Sequence, residues 1–331
     1  MRLSLGFSGF EPLADTLPLV RAADEWGLDG VWSAEHLGFH DAVVPSAVYT
    51  TLSDRLEVGL IGQCPISRHP GLLAMELSSL AELAPGRIRV QVGTGAPELV
   101  ARLGDSTGPK LARVEEFVTA LRTLFAGEEL TGSYAGHDFA GFAITSVDPP
   151  VQIDVMAIRP RMLELAARIG DGVSLSTGAS RGYLTGAVAA IESALAESGR
   201  DRSEVRIMGG ALAAMAPDRE QAIDLLIPML KLFGGGALGV TAPDLFDAEE
   251  IAALDGDPEK EAELITPEVA PQLGFVATPD TVAEALVEFK ATGIDELNLD
   301  FVTPPVESAG LIEALADGWR AMEATAHDAP R

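Results

Sequence analysis

Cysteine occurs once in the 331 residues, at Cys64. That excludes an intramolecular disulfide and a thiolate metal cluster, and it fits a reducing cytoplasm. Lysine is almost as scarce, with only Lys110, Lys231, Lys260 and Lys290. Fifty acidic residues face 23 basic ones, a formal charge of −27. Such a field disfavours nucleic acid and anionic membranes as partners. No stretch reaches the roughly 18 consecutive apolar residues of a membrane-spanning helix. The opening "MRLSLGFSGFEP" is too short in its apolar part, and too broken by glycine, for a secretory signal. These absences point to a soluble, cytoplasmic protein. Its acid-rich, lysine-poor surface suits very high salt, so a halophilic source is the favoured explanation, with an acidic protein encoded by GC-rich DNA as the alternative.

What is present is enough apolar material for a large core, 47% of the residues. Short β-branched or apolar runs alternate with stretches of helical period. Strands are expected at Leu3–Phe7, Gly30–Ser33, Leu56–Ile61, Arg87–Val92, Gln152–Ala157, Gly172–Ser176, Val205–Ala214 and Glu296–Phe301. Helices are expected between them, among them Pro12–Trp26, Pro45–Leu52 opened by its proline, Pro70–Leu83, Lys110–Phe125 and Pro160–Ile169. Eight strand–helix units with right-handed crossovers predict an α/β fold, a (β/α)8 TIM barrel. A doubly wound open sheet is the runner-up, but no linker divides the chain. Residues 1–331 therefore read as one barrel domain. Two stretches break the rhythm: a Gly- and aromatic-rich one at about 127–149, which suggests an inserted hairpin, and one at 232–273 with "FGGGALG" and an acidic patch.

A barrel gathers its chemistry where the strands end. After the second strand stand Glu35 and His36, a carboxylate and an imidazole closing the apolar run "GVWS". After the third, "IGQCPISRHP" carries Gly62, Pro65 and Pro70, the punctuation of a bulge that aims backbone at a ligand. Arg68 and His69 there are either functional or a solvated loop pair, and Cys64 has no base beside it in sequence. After the fourth, "GTGAP" places Thr94 between two glycines, a phosphate contact or simply a tight loop. After the fifth, "AIRP" sets Arg159 before Pro160, where a helix start offers free N–H groups to an anion.

In order and spacing, "AADEWGLDGVWSAEH", "RHPGLLAMELSSLAELAPGRIRVQVGTGAP", "LARVEEFVTALRTLFAGEEL", "RPRMLELAARIGDGV" and "TPDTVAEALVEFKATGIDEL" resemble the bacterial-luciferase-like family. Within it they are most similar to the coenzyme F420-dependent branch, which includes methylenetetrahydromethanopterin reductase and F420-dependent glucose-6-phosphate dehydrogenase. The resemblance implies a barrel whose mouth holds a deazaflavin or flavin. Its Asp-His after strand two corresponds to Glu35-His36, which puts His36 near the reactive edge of the ring. Its irregular third strand end, often with a non-prolyl cis bond, corresponds to Ile61, Gly62, Gln63 and Cys64, behind the ring. Its phosphate loops correspond to Thr94 and Gly95, and to Ala157, Ile158, Arg159 and Pro160.

Departures accompany the match. The family's Gly-Pro in the fifth loop is Arg159-Pro160 here, and the acid that follows GxG in the two named enzymes is Ala96. The pterin enzyme's glutamate in strand one is replaced by Gly6, while its next acid is matched by Glu11. The cofactor half of the site is thus kept and the substrate half altered. What the resemblance implies is an F420-dependent oxidoreductase passing a hydride between the deazaflavin C5 and a small-molecule substrate, a methylene-tetrahydropterin-like compound among the candidates. His36 would polarise the substrate or shuttle a proton, Glu35 would orient the imidazole, and Arg159 or Arg181 would accept the polyglutamate tail of F420. An FMN-dependent monooxygenase and a non-catalytic flavin-binding relative are the alternatives. A homodimer through Leu72–Leu83 and Lys110–Phe125, and a lid at 232–273, complete the expectations.

Overall fold

In the computed structural model, residues 1–36, 38–95, 101, 103, 110–233, 237–254, 257–302 and 305–327 are described. Eight parallel strands close a (β/α)8 barrel: β1 (Arg2–Phe7), β2 (Gly30–Ala34), β3 (Glu57–Gln63), β4 (Ile88–Val92), then β7 (Gln152–Met156), β8 (Gly172–Ser174), β9 (Arg206–Met215) and β11 (Glu296–Phe301). The ring shuts where β11 pairs with β1 and β8 with β9. Between β4 and β7 an antiparallel hairpin is inserted, β5 (Leu130–Tyr134) and β6 (His137–Phe142).

A further short strand escaped the sequence reading. β10 (Phe275–Ala277) pairs with residues 213–215 of β9. Ala213 also pairs with β11 and Met208 with both β11 and β8, so β10 follows β8 along the same edge of β9. β9 is long enough to outrun the barrel, and "FVA" completes the exposed part of its edge. Three residues are too few for a periodic signal.

Alternation along the strands fixes which side chains face where. Leu3, Leu5, Val31, Val58, Leu60, Val90, Ile153 and Val155 point outwards and are buried under the helices, together with Leu73, Leu77, Phe117 and Leu121. The inward set is polar: Ser4, Trp32, Glu57, Arg89, Asp154, Arg206 and Glu296. A second apolar cluster joins Leu212 and Ala214 at the end of β9 to Leu226, Leu238, Ile265, Ala270 and Leu273. The described part of 232–273 is therefore built of short helices on a core of its own. Residues 234–236, the run of three glycines in "FGGGALG", lie outside the described residues.

Local chemistry explains where helices start and stop. Leu13–Trp26 ends at Gly27, whose φ of 87° suits a residue without a Cβ. Arg181–Ser198 begins at Ser180, whose hydroxyl accepts from the Tyr183 N–H. The helix expected to open at Pro45 starts at Val43 instead, because the Asp41 carboxylate accepts from the N–H groups of Val43 and Val44. No helix among the described residues is long and apolar enough to cross a membrane.

Candidate active site

All eight barrel strands are parallel, so their C-terminal ends form one mouth. At the end of β1, Ser8 ties two loops together. Its N–H and hydroxyl donate to Glu11 Oε1 at 3.2 and 2.8 Å, and the Gly9 N–H donates to Glu11 Oε2 at 2.9 Å. The Ser8 carbonyl lies 2.6 Å from His36 Nδ1. A carbonyl only accepts, so Nδ1 carries the proton and Nε2 is the acceptor of the neutral ring. Phe10 packs against the imidazole with ring centroids 4.7 Å apart.

The sequence reading has Glu35 orienting His36; the structure assigns the two to different partners. Glu35 is nearly buried and its Oε2 accepts from Arg68 at 2.6 Å. Arg68 also meets Glu76 at 3.2 Å and Asp41 at 3.9 Å. Burial works against the Arg68 charge, but the Glu35 hydrogen bond and the three surrounding carboxylates outweigh it and raise its pKa. Adjacent residues on an extended strand end point to opposite sides, which is why Glu35 and His36 diverge. His69 caps the helix Pro70–Leu83 through Nδ1 and packs on His137 of the hairpin, which places it in the scaffold.

At the end of β3 the pairing with β4 shifts register between Leu60 and Gln63. Gly62 carries the irregularity with a φ of 91°, and a Cβ there would lie 2.9 Å from the Glu35 carbonyl oxygen. The expected non-prolyl cis bond is absent: among the described residues only Asp148–Pro149 is cis. A glycine in the left-handed region makes the turn instead. Ile61 accepts from the Glu35 N–H through its carbonyl, and Gln63 from the Gly93 N–H. Gln63 is fully buried; its Nε2 donates to Glu35 at 3.4 Å while its side-chain oxygen Oε1 has no partner among the described residues. Cys64 is buried against Ser67, with Sγ 3.2 Å from Oγ.

Thr94 and Gly95 are half-buried beyond β4, Gly95 with a φ of 75°. Ala96, where the resemblance expects an acid, lies outside the described residues. Beyond β7, the Ala157 N–H donates to Ser174, and the Ile158 carbonyl accepts from the Tyr183 hydroxyl at 2.8 Å. Burial pushes the Tyr183 phenol up to about 12, so it stays a donor. Arg159 is extended and exposed, and Pro160 opens the helix Pro160–Ile169, so its first N–H groups face this end of the barrel. Arg181 is not free for an anionic tail: it donates to the Gln272 and Gly274 carbonyls and stacks over Phe289 at 3.6 Å. Burial lowers its pKa to about 10.

One mouth residue is absent from the expectations above: Asp300, at the end of β11. Gln63 stands among the expected residues, with its side chain buried beside Glu35. The signal for Asp300 was present: Glu296, Asn298 and Asp300 are a polar residue at every second position of an otherwise apolar strand. Burial first, and the charge of Glu11 second, push the Asp300 carboxyl well above the usual range.

A closed parallel barrel that collects a histidine, carboxylates, a left-handed glycine turn and a helix N-terminus at one mouth is an enzyme architecture. The family is also shown by sequence: the profile described as luciferase-like monooxygenase matches residues 3–296. The chain belongs to this luciferase-like family. It is 26% identical to 5,10-methylenetetrahydromethanopterin reductase from Methanolobus tindarius over 224 residues, 67% of each protein. It is 26% identical to F420-dependent glucose-6-phosphate dehydrogenase from Beutenbergia cavernae over 319 residues, 92% of this chain and 91% of the other. The structure of an F420-dependent secondary alcohol dehydrogenase in complex with an F420–acetone adduct superposes with a TM-score of 0.79, at 21% identity, over 97% of this chain and 98% of that one.

Proposed function

We propose that this protein is a coenzyme F420-dependent oxidoreductase, passing a hydride between the deazaflavin C5 and a small organic substrate. The observation that carries the reading is the side-chain oxygen of Gln63, a buried acceptor behind the mouth without a partner among the described residues. Leaving such an atom unmet costs about 1–3 kcal/mol, and the polar N–H edge of a deazaflavin is a group that would satisfy it. The F420-dependent relatives point the same way.

On this reading Ile61, Gly62, Gln63 and Cys64 back the ring. Thr94, Gly95, Ala157, Ile158, Arg159 and Pro160 hold the phosphate, with Arg159 as the cation. The cofactor supplies the hydride chemistry; the protein binds, orients and excludes water. His36 presents Nε2 to the substrate with its tautomer fixed by Ser8, Glu35 reaches the same region through Gln63, and Glu11 holds the first loop. A methylene-tetrahydropterin-like compound belongs to the substrate class. The cytoplasmic, halophilic and homodimeric readings of the sequence stand as part of this proposal.

The family's description as monooxygenases favours one second reading, FMN with dioxygen. Titrating the protein in molar salt with F420 and FMN separately, following cofactor fluorescence, decides between them. Saturable F420 binding with FMN ignored is the expected result. Preference for FMN would overturn it and make oxygen consumption the next assay.

A further inference from the structure

β11 alternates along its whole length. Glu296 and Asn298 both meet the Ser4 hydroxyl inside the barrel, at 2.7 and 3.3 Å. The pleat therefore sends Asp300 to the same inner face, one step nearer the mouth. Register agrees: Asp300 pairs with Gly6, and a Cβ at Gly6 would lie 3.4 Å from the Asp300 Cβ. The Asn298 amide fills the space a side chain at Gly6 would take, its Nδ2 2.9 Å from that Cβ, and Asp300 stands one step beyond it towards the mouth.

Asp300 makes no hydrogen bond or ion pair with the described residues, although it is only partly exposed. Its neighbours across the sheet, Gly6 on β1 and Leu212 on β9, carry no charge. The charged group that acts on it is Glu11, from the loop after β1. Glu11 is itself fixed by three donors from Ser8 and Gly9, so it cannot swing away to relieve the repulsion. Burial and this fixed negative charge both favour the neutral carboxylic acid. A neutral acid at a barrel mouth is a proton donor in waiting.

We infer that Asp300 is a further catalytic residue: its carboxylic acid touches the substrate and donates a proton to the oxygen or nitrogen whose neighbouring carbon receives the hydride. The inference rests on the F420 reading, which supplies the reductant as a reduced deazaflavin. In the reducing direction the carbon of a C=O or C=N bond gains the hydride with its two electrons. The π pair moves to the heteroatom, the Asp300 O–H bond breaks, and a new O–H or N–H bond forms on the substrate. Asp300 is left as a carboxylate facing Glu11, a like-charge pair that takes a proton back from water at the mouth. Oxidation runs the same transfers in reverse. Glu11 acts through Asp300 and is a positioning residue.

The test uses D300N and E11Q in the full chain. Aspartate labelled with carbon-13 at the carboxyl allows infrared detection of a protonated side chain at neutral pH. The wild type should show that band, D300N should lose one such band, and E11Q should titrate it at lower pH. D300N should bind F420 within about twofold of the wild type. With small secondary alcohols and methylenetetrahydromethanopterin as probe substrates, kcat should fall about 100- to 10,000-fold while KM changes little, and kcat should lose its dependence on this ionisation. A missing band, or a D300N that keeps its kcat, would overturn the role of Asp300 alone. A wild type that does not bind F420 would instead overturn the reading beneath it.

Discussion

At the N-terminal end of the barrel, Glu57 and Glu296 face Arg2 and Arg206, Arg89 is bonded to Asp154, and Trp32 and Ser4 donate to Glu296. At the C-terminal end stand three more acids, Glu11, Glu35 and Asp300. Only Glu35 meets an arginine, Glu11 is held by backbone and a hydroxyl, and Asp300 has no partner among the described residues. The same side-chain types fill both ends. In the floor every buried carboxylate is matched, which makes the polar interior tolerable. The mouth keeps an acid in unfavourable surroundings, as functional sites do. The difference separates a part of the interior that supports the fold from a part available to chemistry.

The comparison is broken most severely from the floor. Glu296→Ala would leave Arg2, Arg206 and the Trp32 indole N–H facing an empty site at the centre of the barrel. Removing one partner of a buried charge network costs about 3–5 kcal/mol, so urea unfolding should show a loss of that order. A loss below about 1 kcal/mol would place the network among surface-like ion pairs and undo the contrast. At the mouth, Gly62→Ala should cost less, about 1–3 kcal/mol, because a left-handed backbone and a carbonyl 2.9 Å away oppose the new methyl. It should also weaken F420 binding measured by fluorescence, since the turn that seats Gln63 must shift. Unchanged cofactor binding would separate the β3 bulge from the site.

These two ends were not equally legible. The barrel follows from spacing, because strand alternation and the helices between strands are set by local pattern, and Pro70–Leu83, Lys110–Phe125 and Pro160–Ile169 begin and end where the sequence predicts. The positions of Glu35, His36, Gln63 and Arg159 at the mouth follow from being next to strand ends. Partners do not follow. Arg68 lies 33 residues from Glu35 in sequence, and no local pattern says that it takes the carboxylate and leaves His36 to Ser8. The floor network is subtler still, since Glu57, Arg206 and Glu296 come from three distant strands whose shared interior exists only after closure. Asp300 was readable as part of an alternation, but a last strand far from any glycine-rich loop draws no attention until Gly6 is found beside it.

The smallest effect is the most discriminating, because it has the opposite sign. Asp300 has a folded-state pKa above its unfolded value, so over the intervening window the folded protein binds the proton and the unfolded chain does not. Below the unfolded value both states are protonated and nothing is lost. As pH rises from the ordinary aspartate range towards the raised value, stability falls by about 1.4 kcal/mol for each pH unit crossed. Asp300→Asn has nothing to ionise and keeps the shape of the side chain. It should therefore match the wild type in acid and be more stable at neutral pH, with a higher urea midpoint and an unchanged dependence on denaturant. Glu296→Gln, which keeps the shape of that side chain, should instead destabilise at neutral pH, because there the charge is paired with Arg2 and Arg206. If Asp300→Asn also destabilises by the same amount in acid and at neutrality, Asp300 is a matched structural acid like those of the floor. A gain in stability confined to neutral pH, together with lost turnover, would mark the mouth as the end of the barrel where stability has been given up for proton transfer.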